Sequence, residues 1–99
     1  MKNSQVNNNL NEIVALLKAN GVVSASLFGS ACEGNDNADF DFLVKFKSDL
    51  DYVSYADNYF NLLYALQDLL KKDVDLLAEE TISNPYLLKS INRNKIKLL

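Results

Sequence analysis

In the first half of the chain, the spacing of the hydrophobic residues changes from helical to β-strand. Residues 1–9 are polar and rich in asparagine, so we expect a frayed lead-in. A helix is predicted over residues 10–20, because apolar residues recur there at intervals of three and four: Leu10, Ile13, Val14 and Leu17. The apolar stretch Val22–Phe28 lies between two glycines and predicts a buried strand. The small and polar residues 29–38 then predict a loop.

The second half begins with a segment in which apolar residues occupy every second position. Residues 39–47 predict a strand with four apolar residues on one face, and Asp39 and Asp41 lie on the other. A long amphipathic helix follows, for which Ser48 or Asp49 is the candidate cap. Its apolar positions are Ala56, Tyr59, Leu63, Leu66 and Leu70.

Three shorter segments complete the pattern. Residues 74–77 predict a strand, and Asn84 followed by Pro85 predicts the start of a helix that runs to about Ile91. Residues 95–99 again alternate between polar and apolar side chains and predict an edge strand. The order of elements indicates an α/β fold in which helices cover one sheet. At 99 residues the chain predicts a single domain over 1–99.

Composition narrows the chemistry. The net charge is −3, with Arg93 the single arginine, which argues against a nucleic-acid-binding surface. There is no histidine, which excludes Ser-His-Asp and Cys-His catalysis and leaves carboxylates as the plentiful catalytic groups. The single cysteine, Cys32, cannot form an internal disulfide. No apolar run is long enough for a signal peptide or a membrane span. We therefore expect a cytoplasmic location.

The pair Asp39 and Asp41 is the candidate metal site. Two residues apart on one strand, their carboxylates emerge on the same face about 6 to 7 Å apart. Two carboxylates at about 4 Å repel by roughly 4 kcal/mol at an effective dielectric constant of 20, so a cation is expected between them. With no histidine in the chain, Mg²⁺ or Mn²⁺ is the natural candidate.

Gly29 and Ser30 follow a predicted strand and are candidate phosphate ligands. Glycine lets the backbone approach a ligand closely, and successive N–H groups followed by a hydroxyl suit an anion. A phosphate site beside metal-binding carboxylates is the arrangement that phosphoryl or nucleotidyl transfer requires.

A third carboxylate is available on the strand predicted over 74–77. Asp73 and Asp75 are two residues apart and would share one face. We select Asp75 as metal ligand and general base, while Asp73 is expected to pair with Lys71 or Lys72. With Asp36 in the loop, five acids are expected near one site: Asp36, Asp39, Asp41, Asp73 and Asp75.

These segments resemble the minimal nucleotidyltransferases of the DNA polymerase β superfamily, which include the MNT antitoxins of HEPN/MNT toxin–antitoxin pairs. The resemblance lies in residues 27–30, Gly34, 39–44 and 74–77 and extends over almost the whole chain. It implies a polymerase β-like fold, with a small mixed sheet and helices packed mainly on one face. It also implies that Gly29 and Ser30 bind nucleotide phosphates, that Asp39, Asp41 and Asp75 bind two Mg²⁺ ions, and that Asp75 activates the acceptor.

The activity that the resemblance implies is transfer of AMP from ATP to a protein hydroxyl, in HEPN-paired members a tyrosine of the toxin. This chain departs from the family in a shorter loop, residues 31–38, and in Glu33 and Ala38. An alternative is therefore an antitoxin that neutralises its partner by binding alone, since a carboxylate beside a triphosphate is repulsive. A third option, modification of a small molecule, lacks a domain to form the acceptor pocket.

The tyrosines suggest where a partner could bind. Four of the five lie on the predicted long helix, more than one small core needs. A helical partner that docks on residues 52–64 is the resulting hypothesis.

Overall fold

The computed structural model describes residues 7–28 and 40–99. Over these residues the elements follow in this order: helix α1 (Leu10–Ala19), strands β1 (Val22–Phe28) and β2 (Phe40–Phe46), helix α2 (Tyr52–Leu70), strand β3 (Val74–Ala78), a 3₁₀ turn (Glu79–Thr81), helix α3 (Pro85–Asn94) and strand β4 (Ile96–Lys97). Every helix and strand predicted from the sequence is therefore confirmed.

Several predicted segments differ at their ends: β3 extends to Ala78, and β4 contains only Ile96–Lys97 of the predicted 95–99. Asn7 and Asn8 are helical, so the expectation of a frayed lead-in is wrong for these two residues. Helix α3 extends beyond Ile91 to Asn94, because no proline or glycine interrupts the chain there. The loop predicted over 29–38 lies outside the described residues.

The four described strands form one mixed sheet in the order β3-β2-β1-β4. Strand β1 pairs antiparallel with β2 on one side and with β4 on the other. Strand β2 pairs parallel with β3, and α2 is the crossover helix that such a connection requires. The predicted α/β fold with a small mixed sheet is confirmed, and β3 and β4 are the outermost of the described strands.

The core lies between one face of the sheet and the first two helices. Strand β2 contributes its alternate residues, the β-pattern that the sequence predicts, and the helices contribute their apolar stripes. The central side chains are at most 3% exposed: Phe40, Phe42, Val44, Phe46, Ile13, Leu17, Leu62, Leu66 and Leu70. These contacts hold α1 and α2 against the sheet.

The stripe of α2 differs from the predicted one at two positions. Ala56 is exposed, whereas Leu62, which the prediction omits, is fully buried. Leu63 is only partly buried. Leu62, Leu66 and Leu70 recur every four residues and form the buried line, which includes the predicted Leu66 and Leu70 and adds Leu62.

The cap of α2 is Asp51, so the prediction of Ser48 or Asp49 is wrong. The Asp51 carboxylate accepts a hydrogen bond from the Ser54 backbone N–H at 2.7 Å, and this bond lowers the pKa of Asp51. The helix begins directly after Asp51, since only the residue next to the first turn can reach its unpaired N–H groups. Helix α3 has the predicted cap: the Asn84 side chain accepts from the Tyr86 N–H at 2.9 Å.

The second face of the sheet is buried in its middle and open at one end. Ser26 and Leu43 are partners across β1 and β2 on this face, and each is 4% exposed. Further along the same face, Asp41 is partly buried and Asp75 is exposed. The open end is therefore the part of this face that is accessible to a ligand.

Candidate functional site

Asp41 and Asp75 are direct neighbours in the sheet. They are Cα partners across the parallel strands β2 and β3, and adjacent strands lie about 4.8 Å apart. The residues before and after each of them point into the core, which directs both carboxylates to the opposite face. Pairing of the two strands thus brings together two of the three predicted carboxylates.

Asp41 also adjoins the end of β1. Its Cα partner on that side is Phe28, the last residue of β1, and Gly29 and Ser30 follow directly in the chain. Gly29, Ser30 and Asp39 lie outside the described residues, as do Glu33, Asp36 and Ala38. Their predicted roles therefore stay predictions, whereas the positions of Asp41 and Asp75 are part of the structure.

A cleft of about 390 Å³ adjoins the two carboxylates. It is lined by residues of β1, β2, α2 and β3: Phe28, Asp41, Tyr59, Leu63, Val74, Asp75, Leu76 and Leu77. Ligand pockets of this volume are at the small end of the usual range. The apolar walls suit an apolar or aromatic part of a ligand, and the two carboxylates suit a cationic or metal-bound part.

Tyr59 lines the cleft, a position that the sequence did not predict: the sequence assigns it to the helix stripe and to the proposed partner surface over 52–64. Its hydroxyl donates a hydrogen bond to the Leu76 carbonyl oxygen at 2.5 Å. Burial raises the pKa of Tyr59, and the negative charge of Asp75 raises it further. No signal in the sequence separates a tyrosine of the core from one at the edge of a cleft, because both occupy an apolar helical position.

Asp73 lies one residue before β3, and its predicted shared face with Asp75 stays a prediction. Strand β3 begins at Val74, and the Asp73 carbonyl oxygen accepts a hydrogen bond from the Phe40 N–H at 3.3 Å. Lys71 pairs with Asp68 at 3.3 Å rather than with Asp73, because α2 places those two residues one turn apart. The Lys72 ammonium lies 5.7 Å from the centre of the Phe40 ring.

Asp41 and Asp75 fit the metal expected from the sequence. Their carboxylate oxygens are hard donors, emerge on one face from neighbouring strands, and are of the kind that Mg²⁺ binds. Residues 7–28 and 40–99 contain no group of three or more Asp, Glu, Cys or His positioned to hold a metal ion. Asp39, the third carboxylate predicted for this site, lies outside the described residues.

Within the part of the chain that the structure describes, no helix combines the length and apolar character needed to span a bilayer.

Comparison with known families gives a match over nearly the whole chain. The sequence model described as "Polymerase beta, Nucleotidyltransferase" matches residues 11–99. A protein of Methanocaldococcus jannaschii named "Putative protein adenylyltransferase" is 36% identical over 77 residues, which cover 76% of this chain and 75% of that protein.

Two solved structures share the fold. One, a toxin–antitoxin complex with AMP-PNP, contains a chain that superposes with a TM-score of 0.72 at 27% identity, covering 92% of this chain and 73% of that one. The other is a tri-AMPylated HEPN toxin of Shewanella oneidensis in complex with an MNT antitoxin. There the TM-score is 0.69 at 25% identity, covering 94% of this chain and 71% of that chain.

Proposed function

Because the chain belongs to the polymerase β nucleotidyltransferase family, we propose that it transfers AMP from ATP to a tyrosine hydroxyl of a HEPN toxin and acts as the antitoxin. The observation that carries the proposal is the pairing of Asp41 with Asp75 at the open end of the sheet. The name of the relative supports a protein acceptor, and the complexes with AMP-PNP and with an AMPylated HEPN toxin support the nucleotide and the partner. The proposed setting is the cytoplasm.

Asp41 and Asp75, with Asp39, are the proposed metal ligands. Mg²⁺, when bound there, neutralises charge on the nucleotide phosphates. The carboxylates contribute by holding their oxygens on one face of two adjacent strands, whose pairing fixes their separation. Gly29 and Ser30 are the proposed phosphate ligands, since they follow Phe28 in the chain and Phe28 is the Cα partner of Asp41.

Asp75 is the proposed general base. In the transfer, the acceptor hydroxyl oxygen forms a bond to the α-phosphorus of ATP, and the bond from that phosphorus to the leaving pyrophosphate breaks. The hydroxyl proton passes to the Asp75 carboxylate. Asp75 is exposed and lies on the edge strand, so an acceptor side chain can reach it from outside the sheet.

Two isosteric variants test the assignment. Asp75→Asn removes the base and is expected to lower the rate of AMP transfer to a HEPN toxin by about 10²- to 10⁴-fold. Asp41→Asn removes a proposed metal ligand but not the base, and both variants should weaken activation by Mg²⁺, because Asp75 is also a proposed metal ligand. Transfer is measured with ATP labelled on the α-phosphate, and Asp57→Asn, at an exposed position of α2 outside the cleft, is the matched control.

The outcome also decides the binding-only alternative. Full label transfer by Asp41→Asn and Asp75→Asn would show that the site is elsewhere. If calorimetry detects no binding of ATP with Mg²⁺ at millimolar concentration while the HEPN toxin is still neutralised, the protein acts by contact alone.

A further inference from the structure

A groove extends from the cleft along the open edge of the sheet. Strand β3 is the outermost of the described strands on this side. Next to the cleft lies a cavity of about 350 Å³, which shares Tyr59 and Leu76 with it. A third cavity of about 310 Å³ follows and shares Tyr55 and Thr81 with the second. We call these three adjacent cavities the α2–β3 groove.

The walls of the groove are aromatic and held in place. The Tyr55 hydroxyl donates to the Glu80 carboxylate at 2.8 Å, and the Tyr59 hydroxyl donates to the Leu76 carbonyl. The Tyr59 and Phe60 rings meet edge to face with centres 5.2 Å apart. Phe60 is nevertheless 49% exposed and Tyr52, at the far end, is 94% exposed. Ordered but accessible aromatic side chains are typical of protein-binding surfaces.

The charge of the groove has one sign. The charged residues that line its three cavities are all acidic: Asp41, Asp51, Asp75 and Glu80. No lysine or arginine of residues 7–28 and 40–99 lines any of the three. Complementary charge across an interface steers association and selects partners. Asp41 and Asp75 are the proposed metal ligands, so Asp51 and Glu80 provide the charge that favours a cationic occupant in the rest of the groove.

We infer that the α2–β3 groove binds a basic polypeptide segment of the acceptor protein and so leads the acceptor hydroxyl to Asp75. This inference rests on the proposed function and adds where the acceptor binds and which chemistry it presents. The aromatic walls contact apolar parts of that segment, including lysine or arginine stems, and the carboxylates attract its charged ends. A second copy of this chain fits poorly, because its net charge of −3 has the same sign as the groove.

Synthetic peptides test the inference without requiring catalysis. Two fluorescent peptides of equal length carry a central tyrosine, flanked by lysine and leucine in one and by glutamate and leucine in the other. Anisotropy is expected to show at least roughly tenfold tighter binding of the basic peptide. Amide chemical shifts of the labelled protein should change along α2 and β3.

Groove variants and matched controls locate the binding. Phe60→Ala and Tyr52→Ala should each weaken binding of the basic peptide by about five- to tenfold. Tyr52 is 94% exposed, so its truncation is expected to leave the fold intact. Glu80→Gln keeps an acceptor for Tyr55 but removes the charge, and should reduce the preference for the basic peptide. The controls are Tyr86→Ala, an 83% exposed tyrosine of α3, and Glu12→Gln, an exposed carboxylate of α1.

Three results would overturn the inference: no binding of the basic peptide at millimolar concentration, equal binding of both peptides, or shift changes outside α2 and β3. Concentration-dependent dimerisation that Phe60→Ala abolishes would assign the groove to a second copy instead. The proposed function is tested by a separate measurement: it is wrong if the wild-type protein transfers no AMP to a HEPN toxin. If the basic peptide binds but no AMP is transferred to the toxin, the groove assignment stands and the proposed adenylyltransferase activity is refuted.

Discussion

Asp41 and Asp75 become neighbours through one register, in which each is the Cα partner of the other. A slip of one residue in β3 would turn Asp75 into the core and bring Val74 or Leu76 to the site face. The buried Val74, Leu76 and Ala78 prevent this slip, because their burial depends on the same alternation. The packing of the strand thus positions the carboxylate.

Tyr59 gives a pH-dependent prediction. Its pKa is raised in the folded state, first by burial and then by Asp75, above the usual value of 10.0. The folded protein then keeps the proton where the unfolded chain loses it, so this contribution to stability is complete below about pH 10 and declines as the pH rises further. Urea unfolding at pH 9, 10 and 11 should show a smaller loss of stability for Tyr59→Phe than for the wild type.

The matched control is Tyr52→Phe, which removes an exposed phenol from the same helix. An equal alkaline loss of stability in Tyr59→Phe and the wild type would show that Tyr59 is not responsible.

Among the elements, α2 has the most roles in the structure. Its buried stripe holds the sheet, its Tyr59 lines the cleft, and its exposed aromatic residues border the groove. One helix can do all three because its faces are distinct around the axis. Substitutions on the stripe should therefore affect stability, and those on the exposed aromatic face should affect partner binding.

Leu66→Ala tests the stripe. Leu66 is fully buried in the core, so its truncation is expected to lower the free energy of unfolding by about 2 to 5 kcal/mol. Denaturant unfolding followed by circular dichroism measures the change. Asn61→Ala, at an exposed position of the same helix, should stay within about 0.5 kcal/mol of the wild type. Similar losses in both variants would mean that the helix as a whole, rather than its stripe, is sensitive.

At the scale of the whole molecule, the C-terminal strand completes the sheet. Strand β4 pairs with β1, and the backbone of Ala25 exchanges hydrogen bonds with Leu98 and Leu99 at 2.9 to 3.2 Å. Without it, β1 would be an exposed edge on the side opposite β3. An unpaired edge of this kind is a template for association between chains.

Deletion of residues 96–99 should therefore lower stability and promote self-association. Each lost backbone hydrogen bond contributes about 0.5 to 1.5 kcal/mol, and light scattering should detect larger species. Lys97→Ala keeps the backbone of β4 and is the control. A monomeric deletion variant with unchanged urea midpoint would show that β4 is dispensable.

The sequence by itself determined the elements, because the period of the hydrophobic residues depends only on local geometry: strand β1 has the predicted bounds, and β2 has the predicted faces. It also determined the candidate chemistry, since the residue types of Gly29, Ser30, Asp39, Asp41 and Asp75 limit what a site can do. The caps show the limit of such local signals, because Asn84 beside Pro85 was recognisable whereas Asp51 competed with two equally suitable neighbours.

Only the tertiary structure decided which residues meet. Strand pairing placed Asp41 beside Asp75 and left Asp73 outside the strand, and helix packing brought Tyr59 to the edge of the cleft. The alignment of acidic and aromatic residues along β3 likewise depends on its position at the edge of the sheet. These are contacts between segments distant in the chain, and no local period encodes them.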